Sequence, residues 1–216
     1  MADRVISILT AATDFDLISL DELKIMLGIL PTDTSQDEIL NLYIDNYSDI
    51  VATFCNRVFA YEEVQEVWRC VDYDQTNVMK RIFVSHYPID ESQTISVESP
   101  VGSVLDPTDY VIEQKSGKIE LLQTSDEPIM VTYSGGYKLP TDTPPALKQA
   151  IVFMIREAQA HMQRFAVSGI KSITHKDSRV MYFDVNATIA KQQGKGIGIV
   201  SPVANSLLMK YVRMEV

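Results

Sequence analysis

The chain has 216 residues, 46% of them hydrophobic and 22% charged, which is typical of a soluble globular protein with one large domain or two small ones. Its net charge of −10 argues against binding nucleic acid by neutralising phosphates, which normally needs a basic patch. No apolar run reaches the about 18 residues of a membrane span, and the N-terminal "MADRVISILTAATDFD" has no signal-peptide cleavage pattern, so we expect a cytosolic origin.

The first block, residues 1–60, is predicted to form the N-terminal helices of a bundle. Ser19 and Glu22 have the spacing of a capping box, and Gly28 is a suitable helix stop. A second, longer helix is predicted to begin at another such pair, Ser35 and Glu38. Its apolar residues recur at three- and four-residue steps and form one stripe: Ile39, Tyr43, Tyr47, Ile50, Phe54 and Val58.

The second block, residues 61–135, changes to short runs rich in Val, Ile, Tyr and Thr that are separated by prolines. The sequence "KSGK" predicts a tight hairpin turn, because Gly117 can adopt a positive φ. We expect a β-rich insert in the form of a small antiparallel sheet or compact barrel. The paired Gly135 and Gly136 are interpreted as a structural junction, where the chain leaves the sheet and returns to the helices.

The third block returns to helix. Residues 136–168 contain a long core helix, which Thr143 can cap and Pro144 can start. Residues 169–200 form an irregular or strand segment, and 201–216 a C-terminal tail or helix. The predicted fold class is therefore α+β and mainly α, a helical bundle formed by the N- and C-terminal segments with an inserted small antiparallel β domain.

Residue patterns typical of catalysis, metal binding or cofactor binding are not found in this sequence. His86, His161 and His175 lie more than four residues from one another and from any cysteine, so their spacing predicts no metal site. Cys55 and Cys70 are interpreted as free, buried thiols. We therefore predict a protein that is not an enzyme and has no catalytic, metal or cofactor-binding residues.

The order of these segments resembles the head–tail connector proteins of tailed bacteriophages, also called adaptors or head-completion proteins. The resemblance begins with "LDELKIMLGI" and "DEILNLYIDNYSDIVATFCNRVF" and continues through "RIFVSHYPI" and "DPTDYVIEQKSGKIELL". It then includes "IMVTYSGGYKLPTDTPPALKQAIVFMI" and the closing "SPVANSLLMKYVRMEV". It covers residues 17–165 and 201–216, and its most specific part is Asp109–Ile151.

The resemblance implies a structural subunit of the phage neck. Such proteins form a homo-oligomeric ring, typically of twelve copies, beneath the portal protein, where the ring extends the DNA channel and offers a docking platform to a tail or neck completion protein. DNA would pass without specific binding, and an acidic lumen would repel its phosphates. In similar proteins the C-terminal tail reaches the portal, which makes these residues a candidate docking segment: Leu207, Leu208, Tyr211 and Arg213.

The apolar C-terminal tail either packs as a helix on its own core or docks into a partner's groove. The protein could instead be a β-rich viral receptor- or carbohydrate-binding module with helical support, which the aromatic residues Trp68, Tyr73, Tyr87 and Tyr110 would serve. A hydrolase with a dispersed site would need one of the three histidines beside a nucleophile or a carboxylate.

Overall fold

The computed structural model describes residues 2–70, 79–125, 128–166, 172–175, 178–181 and 202–213. The described helices, in chain order, are α1 (Leu20–Leu27), α2 (Asp37–Cys55), α3 (Pro145–Ala166) and α4 (Pro202–Leu208), with a 3-10 turn at Met209–Tyr211. The described strands are β1 (Ala2–Thr10), β2 (Glu62–Cys70), β3 (Met79–Phe83), β4 (Ser96–Glu98), β5 (Tyr110–Glu113), β6 (Lys118–Ser125), β7 (Ile129–Gly135), β8 (Ser172–His175) and β9 (Ser178–Met181).

The chain divides into two compact units. The β unit consists of Met1–Ile18, Ala52–Thr143 and Arg213–Val216, and the helical unit consists of Ser19–Val51 and Pro144–Val212. The β unit contains a four-stranded sheet in the order β1-β2-β7-β4 and a three-stranded sheet in the order β3-β6-β5. All pairs in both sheets are antiparallel.

Apolar residues from both sheets form one core in the β unit. Val64 of β2, Val97 of β4 and Val131 of β7 come from the four-stranded sheet, and Ile82 and Ile119 come from the three-stranded sheet. Each of these side chains is at most 2% exposed, so the core is closed to solvent. The two sheets therefore stabilise each other by burying one face each.

The predicted hairpin turn is present. β5 ends at Glu113, β6 begins at Lys118, and Gly117 between them has a φ of +67°. A Cβ at Gly117 would lie 3.0 Å from Val84 Cγ2 and from Tyr87 Cβ. The turn thus requires glycine for two reasons, its backbone conformation and the close packing beneath it.

The helical unit is built on α3, against which α1 and α4 pack. Leu147, Ile151 and Ile155 of α3 are fully buried, as are Leu23 of α1 and Leu208 of α4. The β8–β9 hairpin also belongs to this unit and forms a two-stranded sheet of its own. None of the described helices is both long enough and apolar enough to cross a membrane.

The capping box predicted for the first helix is confirmed. The Glu22 amide donates to Ser19 Oγ (3.4 Å), and Glu22 Oε2 accepts from the Ser19 amide (3.3 Å). Gly28 ends the helix in the left-handed conformation, with φ +79°. The box predicted at Ser35 is wrong, because α2 begins only at Asp37 and the Ser35 hydroxyl donates to Asp33 Oδ1 (2.6 Å).

The prediction of a mainly helical fold is wrong. Helix makes up 34% and strand 27% of the structure, and the strands form two antiparallel sheets. The N-terminal block is not purely helical, because Ala2–Thr10 forms a strand that pairs with β2. Its partner lies far along the chain, so the pairing was not visible in a local pattern.

Candidate functional site

The two glycines predicted as a junction lie where β7 passes close to other backbone segments. Gly135 is the last residue of β7, and a Cβ there would lie 2.3 Å from the carbonyl oxygen of His86. Gly136 has a φ of +107°, and its Cβ would lie 2.2 Å from the carbonyl oxygen of Ala60. Both positions therefore require glycine for close backbone approach. Their role as a link between sheet and helices stays a prediction.

Next to Gly135 lies a group of buried polar side chains, here called the buried polar cluster: Glu62, Glu66, Ser85, His86 and Tyr133. Glu66 Oε1 accepts hydrogen bonds from the Ser85 amide (2.8 Å), the Tyr133 hydroxyl (2.6 Å) and the Ser85 hydroxyl. The Tyr133 hydroxyl also accepts from the His86 amide (2.9 Å). One carboxylate of β2 thereby organises the segment that follows β3.

The imidazole of His86 lies between two partners. Its Nε2 is 2.9 Å from Glu62 Oε2, and its Nδ1 is 2.8 Å from Ser85 Oγ. Glu62 Oε1 also accepts from the Ala12 amide (3.0 Å), which ties the segment after β1 to the same cluster. The cluster connects residues from β2, β7 and the segment after β3 by hydrogen bonds within one buried region.

Burial shifts the pKa values of His86 and Tyr133 in this cluster. Desolvation lowers the pKa of His86, and the attraction of Glu62 and Glu66 opposes that shift only in part. Desolvation also raises the pKa of the Tyr133 hydroxyl, and Glu66 raises it further. Burial thus disfavours the charged form of the His86 imidazole.

The cluster brings together a serine, a histidine and two carboxylates, so the requirement stated for a dispersed hydrolase site is met at His86. However, Ser85 is 5% exposed and His86 is 2% exposed, and the Ser85 hydroxyl donates to Glu66. A nucleophile that is buried and already bonded to a carboxylate does not meet a substrate. The arrangement holds the backbone of the β unit together. The side chains of His161 and His175 lie outside the described part.

The aromatic residues that suggested a ligand-binding sheet are not exposed where they are described. Trp68, Tyr87 and Tyr110 are half-buried, and Trp68 and Tyr110 pack against the core of the β unit. Tyr73 lies outside the described residues. An open cleft beside Tyr110 is lined by Glu91, Ile95 and Pro107. This packing gives Trp68 and Tyr110 a structural role.

The candidate docking tail is folded onto the molecule. Leu208 is fully buried in the helical unit, where α4 packs on α3. Leu207, Tyr211 and Arg213 are half-buried. The Arg213 amide donates to the Cys55 carbonyl (2.8 Å) in the β unit. Packing on the chain's own core is thus the observed arrangement, and docking of these four residues on a partner stays a prediction.

Metal-binding side chains do not assemble in the described residues, where no group of three or more His, Cys, Asp or Glu is placed to hold an ion. Cys55 is buried, and burial raises the pKa of its thiol to about 11. A thiol with so high a pKa is a poor nucleophile and a poor metal ligand at pH 7.

The buried acids of the cluster were not identified from the sequence, although β2 carries a signal. Every second residue of β2 lies on the same face of the sheet, and one face therefore carries Glu62, Val64, Glu66 and Trp68. An acidic residue on the same face as a buried valine indicates a buried carboxylate that needs donors. The donors come from Ser85 and Tyr133, whose positions relative to β2 depend on the tertiary fold.

Residues 17–106 match the family model described as "Phage gp6-like head-tail connector protein". A search among curated protein sequences finds no match to the chain.

Solved structures with a similar chain trace come from gene transfer agent particles. Chains described as "Neck of empty GTA particle computed with C6 symmetry" and "Neck of native GTA particle computed with C12 symmetry" each have 11% identity and a TM-score of 0.49, with 98% of this chain and 97% of that chain covered. A chain of "Virion of native gene transfer agent (GTA) particle" has 12% identity and a TM-score of 0.43, with 86% and 93% covered. The resemblance to phage head–tail connectors is confirmed by sequence: residues 17–106 match the family of Phage gp6-like head-tail connector proteins.

Proposed function

We propose that this protein is a structural subunit of a phage-type neck, which forms a homo-oligomeric ring between the portal protein and a tail or neck completion protein. The observation that carries the proposal is the match of residues 17–106 to a head–tail connector family. That segment includes α1, α2 and β2–β4, so it draws on both the helical unit and the β unit. In this role the protein is a component of the virion and catalyses no reaction.

The charge of the chain supports passage of DNA without capture. Each copy carries a net charge of −10, and a ring of copies would concentrate a negative field in its channel. Because DNA is itself a polyanion, such a channel repels its phosphates and lets the duplex slide. The contribution of the ring to genome delivery is therefore a smooth conduit and a docking platform.

The C-terminal segment is the proposed contact with the portal. Val203 and Met209 flank the buried Leu208 and are 52% and 54% exposed, so this segment presents apolar surface. Leu207, Tyr211 and Arg213 would add to that contact, and Leu208 would join it only after α4 leaves α3. Apolar side chains on a short helix can enter a hydrophobic groove of a partner.

Assembly on the portal tests the proposal. The purified protein is mixed with portal-bearing capsids of the phage that encodes it, and bound copies are counted by mass measurement and seen by negative-stain microscopy. We expect a closed ring at the portal vertex, with twelve copies as the resemblance implies. A protein that neither binds these particles nor forms a ring at any concentration would overturn the proposal, whereas a monomer that assembles only on the portal would support it.

A further inference from the structure

β1 is an uncovered edge of the four-stranded sheet. Among the described strands it pairs with β2 alone, so the backbone groups of its other edge can accept a further strand. Natural edge strands are usually protected by charge, by proline, by a bulge or by being short. β1 is nine residues long, Val5–Thr10 contains no charged residue and no proline, and the bulge comes only after Ile8. The regular part of this edge is therefore open to pairing.

The side chains of β1 are as uncovered as its edge. Ile6 and Ile8 pair with Glu66 and Val64, so they lie on the face of the sheet that carries the core. They are nevertheless 39% and 55% exposed, and no described residue of β1 belongs to the core of the β unit. Val5, on the opposite face, is exposed as well. β1 thus extends the sheet beyond the core and leaves apolar side chains exposed on both of its faces.

β5 is an uncovered edge of the three-stranded sheet, where β6 is its only neighbour among the described strands. Tyr110 and Ile112 pack against the core, whereas Val111 is 56% exposed. The open cleft beside Tyr110 runs along this edge, and Ile95 and Pro107 line it together with residues of β5. An apolar cleft next to a strand edge offers what an added apolar strand needs, backbone partners and contacts for its side chains.

The charges around the two edges favour contact between them. Arg4 of β1 is half-buried, and Arg69 of β2 is exposed beside the start of β1. On the other side, Glu91 lines the cleft and is exposed, and Glu113 ends β5, where its carboxylate lies 3.5 Å from Lys118 Nζ. Because copies with a net charge of −10 repel each other, they need contact surfaces that are uncharged or of opposite sign. The uncharged middle of β1 and its arginine-bearing start meet that condition at the β5 edge.

We propose that β1 of one copy pairs edge to edge with β5 of the next copy and places Ile6 and Ile8 against the cleft beside β5. With the strands antiparallel and Ser7 opposite Val111, Ile6 lies opposite Ile112, and the start of β1 lies beside the end of β5. Because β1 and β5 are different edges, the contact can repeat from copy to copy and close into a ring. The inference rests on the proposed ring and names the surface by which neighbouring copies meet.

Disulfide cross-linking of the full-length protein, assembled on portal-bearing capsids, tests this interface. Ser7→Cys is combined with Val111→Cys, and both positions are exposed, so neither substitution disturbs the core. Residues opposite each other on paired strands are about 5 Å apart between Cα atoms, within the reach of a disulfide. We expect a ladder of linked copies that extends beyond the dimer on a non-reducing gel, and no ladder from the wild type or from either single variant. Val5→Cys with Val111→Cys covers a register shifted by two residues.

Ser7→Cys with Leu122→Cys is the matched control. Leu122 is 59% exposed, as Val111 is nearly, but it belongs to β6, one strand further from the edge, so its Cα would lie about 10 Å from residue 7 and beyond the reach of a disulfide. We expect no ladder from this pair. Fluorescence of Trp68 and circular dichroism establish that each variant is folded.

The outcomes separate this interface from the proposed function. A ring at the portal in which neither β1 pair with Val111→Cys links would overturn the β1–β5 contact and leave the proposed function standing. Equal ladders from Val111→Cys and Leu122→Cys, or a ladder that ends at the dimer, would also overturn the contact, because the linkage would then be unspecific or confined to two copies. A protein that does not assemble at all would overturn the proposed function and this interface together.

Discussion

The β unit and the helical unit bury polar side chains in different ways. In the β unit, two carboxylates that are 3% and 0% exposed, Glu62 and Glu66, are bonded to donors from several distant segments. In the helical unit, Lys24 is 2% exposed and pairs with Asp37 (2.5 Å), while Lys148 pairs with the 44% exposed Glu22. The described polar side chains thus form one connected buried network in the β unit, whereas the two pairs named in the helical unit are separate from each other.

This difference also separates the experimental probes. The single tryptophan, Trp68, lies in β2 and reports on the β unit by fluorescence. The longer helix of the helical unit, α3, dominates circular dichroism at 222 nm together with α2. Denaturation followed by both signals therefore shows which unit a substitution weakens.

The largest effect is expected from the glycine pair of the β unit. In Gly136→Ala the new Cβ would lie 2.2 Å from the Ala60 carbonyl oxygen at a φ of +107°, so both a clash and an unfavourable conformation arise. We expect the free energy of unfolding to fall by about 4 kcal/mol, measured by urea denaturation with Trp68 fluorescence.

Two further glycines separate the two causes. In Gly135→Ala the new Cβ would lie 2.3 Å from the His86 carbonyl oxygen, but the backbone does not have a positive φ. In Gly28→Ala the alanine would have to adopt the φ of +79° that the glycine has, but its Cβ would meet no atom within 4 Å. We expect the free energy of unfolding to fall by about 3 kcal/mol in Gly135→Ala and by about 1 kcal/mol in Gly28→Ala. Equal losses in all three variants would contradict the close approach of the backbones around β7.

The next largest effect is expected in the buried polar cluster. Glu66→Ala removes the acceptor of the Ser85 amide, the Ser85 hydroxyl and the Tyr133 hydroxyl, and leaves these donors buried. We expect the free energy of unfolding to fall by about 3 kcal/mol, measured by urea denaturation with Trp68 fluorescence. Glu63→Ala, three positions earlier on β2, is the matched control. It removes only an exposed hydrogen bond with Thr10 and should cost less than about 1 kcal/mol.

A pH dependence of the β unit follows from His86. Its pKa is lowered below 6.5 by burial, so between that folded value and 6.5 the unfolded chain binds the proton more readily. The contribution of neutral His86 to the stability of the β unit is therefore complete above pH 6.5 and is lost as the pH falls. The loss is at most about 1.4 kcal/mol per pH unit for one group. The charges that act on the imidazole are Glu62, Glu66 and Arg57.

Urea denaturation at pH 7 and pH 5 measures this dependence. We expect the wild-type protein to be less stable at pH 5, and His86→Gln to have a smaller difference between the two pH values. Five carboxylates have a lowered pKa, lose their contributions to stability at lower pH and do not account for this window: Glu22, Asp33, Asp90, Asp106 and Glu120. An unchanged pH difference in His86→Gln would contradict the assignment.

The smallest effect is expected in the helical unit. Lys148 Nζ lies 2.6 Å from Glu22 Oε1, and although burial raises the pKa of Glu22, the bonds from Lys148 and Ser19 bring it below its ordinary value. Because Glu22 is 44% exposed, solvent screens the pair, and Lys148→Ala should cost only about 0.5–1 kcal/mol by circular dichroism. Lys115→Ala is the control, because Lys115 is an exposed lysine of the β unit. If Lys148→Ala lowered the free energy of unfolding by several kcal/mol, the Lys148–Glu22 pair would behave as a buried ion pair, which would contradict this prediction.

Prediction from the sequence succeeded where the signal was local. The capping box at Ser19, the stop at Gly28 and the hairpin turn at Gly117 depend on residues within a few positions of each other. The resemblance to connector proteins was also visible in the sequence, because it depends on the order of the segments. Residues 17–106 match the model of that family. The buried polar cluster was not predicted, because its donors and acceptors come from segments far apart in the chain.

α2 illustrates the limit of periodicity. The predicted stripe began with Ile39 and Tyr43, but Ile39 is 56% exposed, and the buried apolar positions of this helix are Leu40, Ile44, Val51 and Cys55. Two neighbouring rows of the helix are both rich in apolar residues, and periodicity alone does not choose between them. The elements that pack against the helix decide which row is covered.

Three features could be read from the sequence: the local turns and helix ends, the likeness of residues 17–106 to head–tail connector proteins, and the acidity of the chain. Each depends on near neighbours, on the order of segments or on composition. Other contacts depend on the packed fold: Ala2–Thr10 pairs with β2, the Tyr133 hydroxyl donates to Glu66, and Arg213 donates to the carbonyl oxygens of Cys55 and Phe83. These contacts join residues separated by long stretches of chain, and their free energy is gained only once the whole β unit is packed.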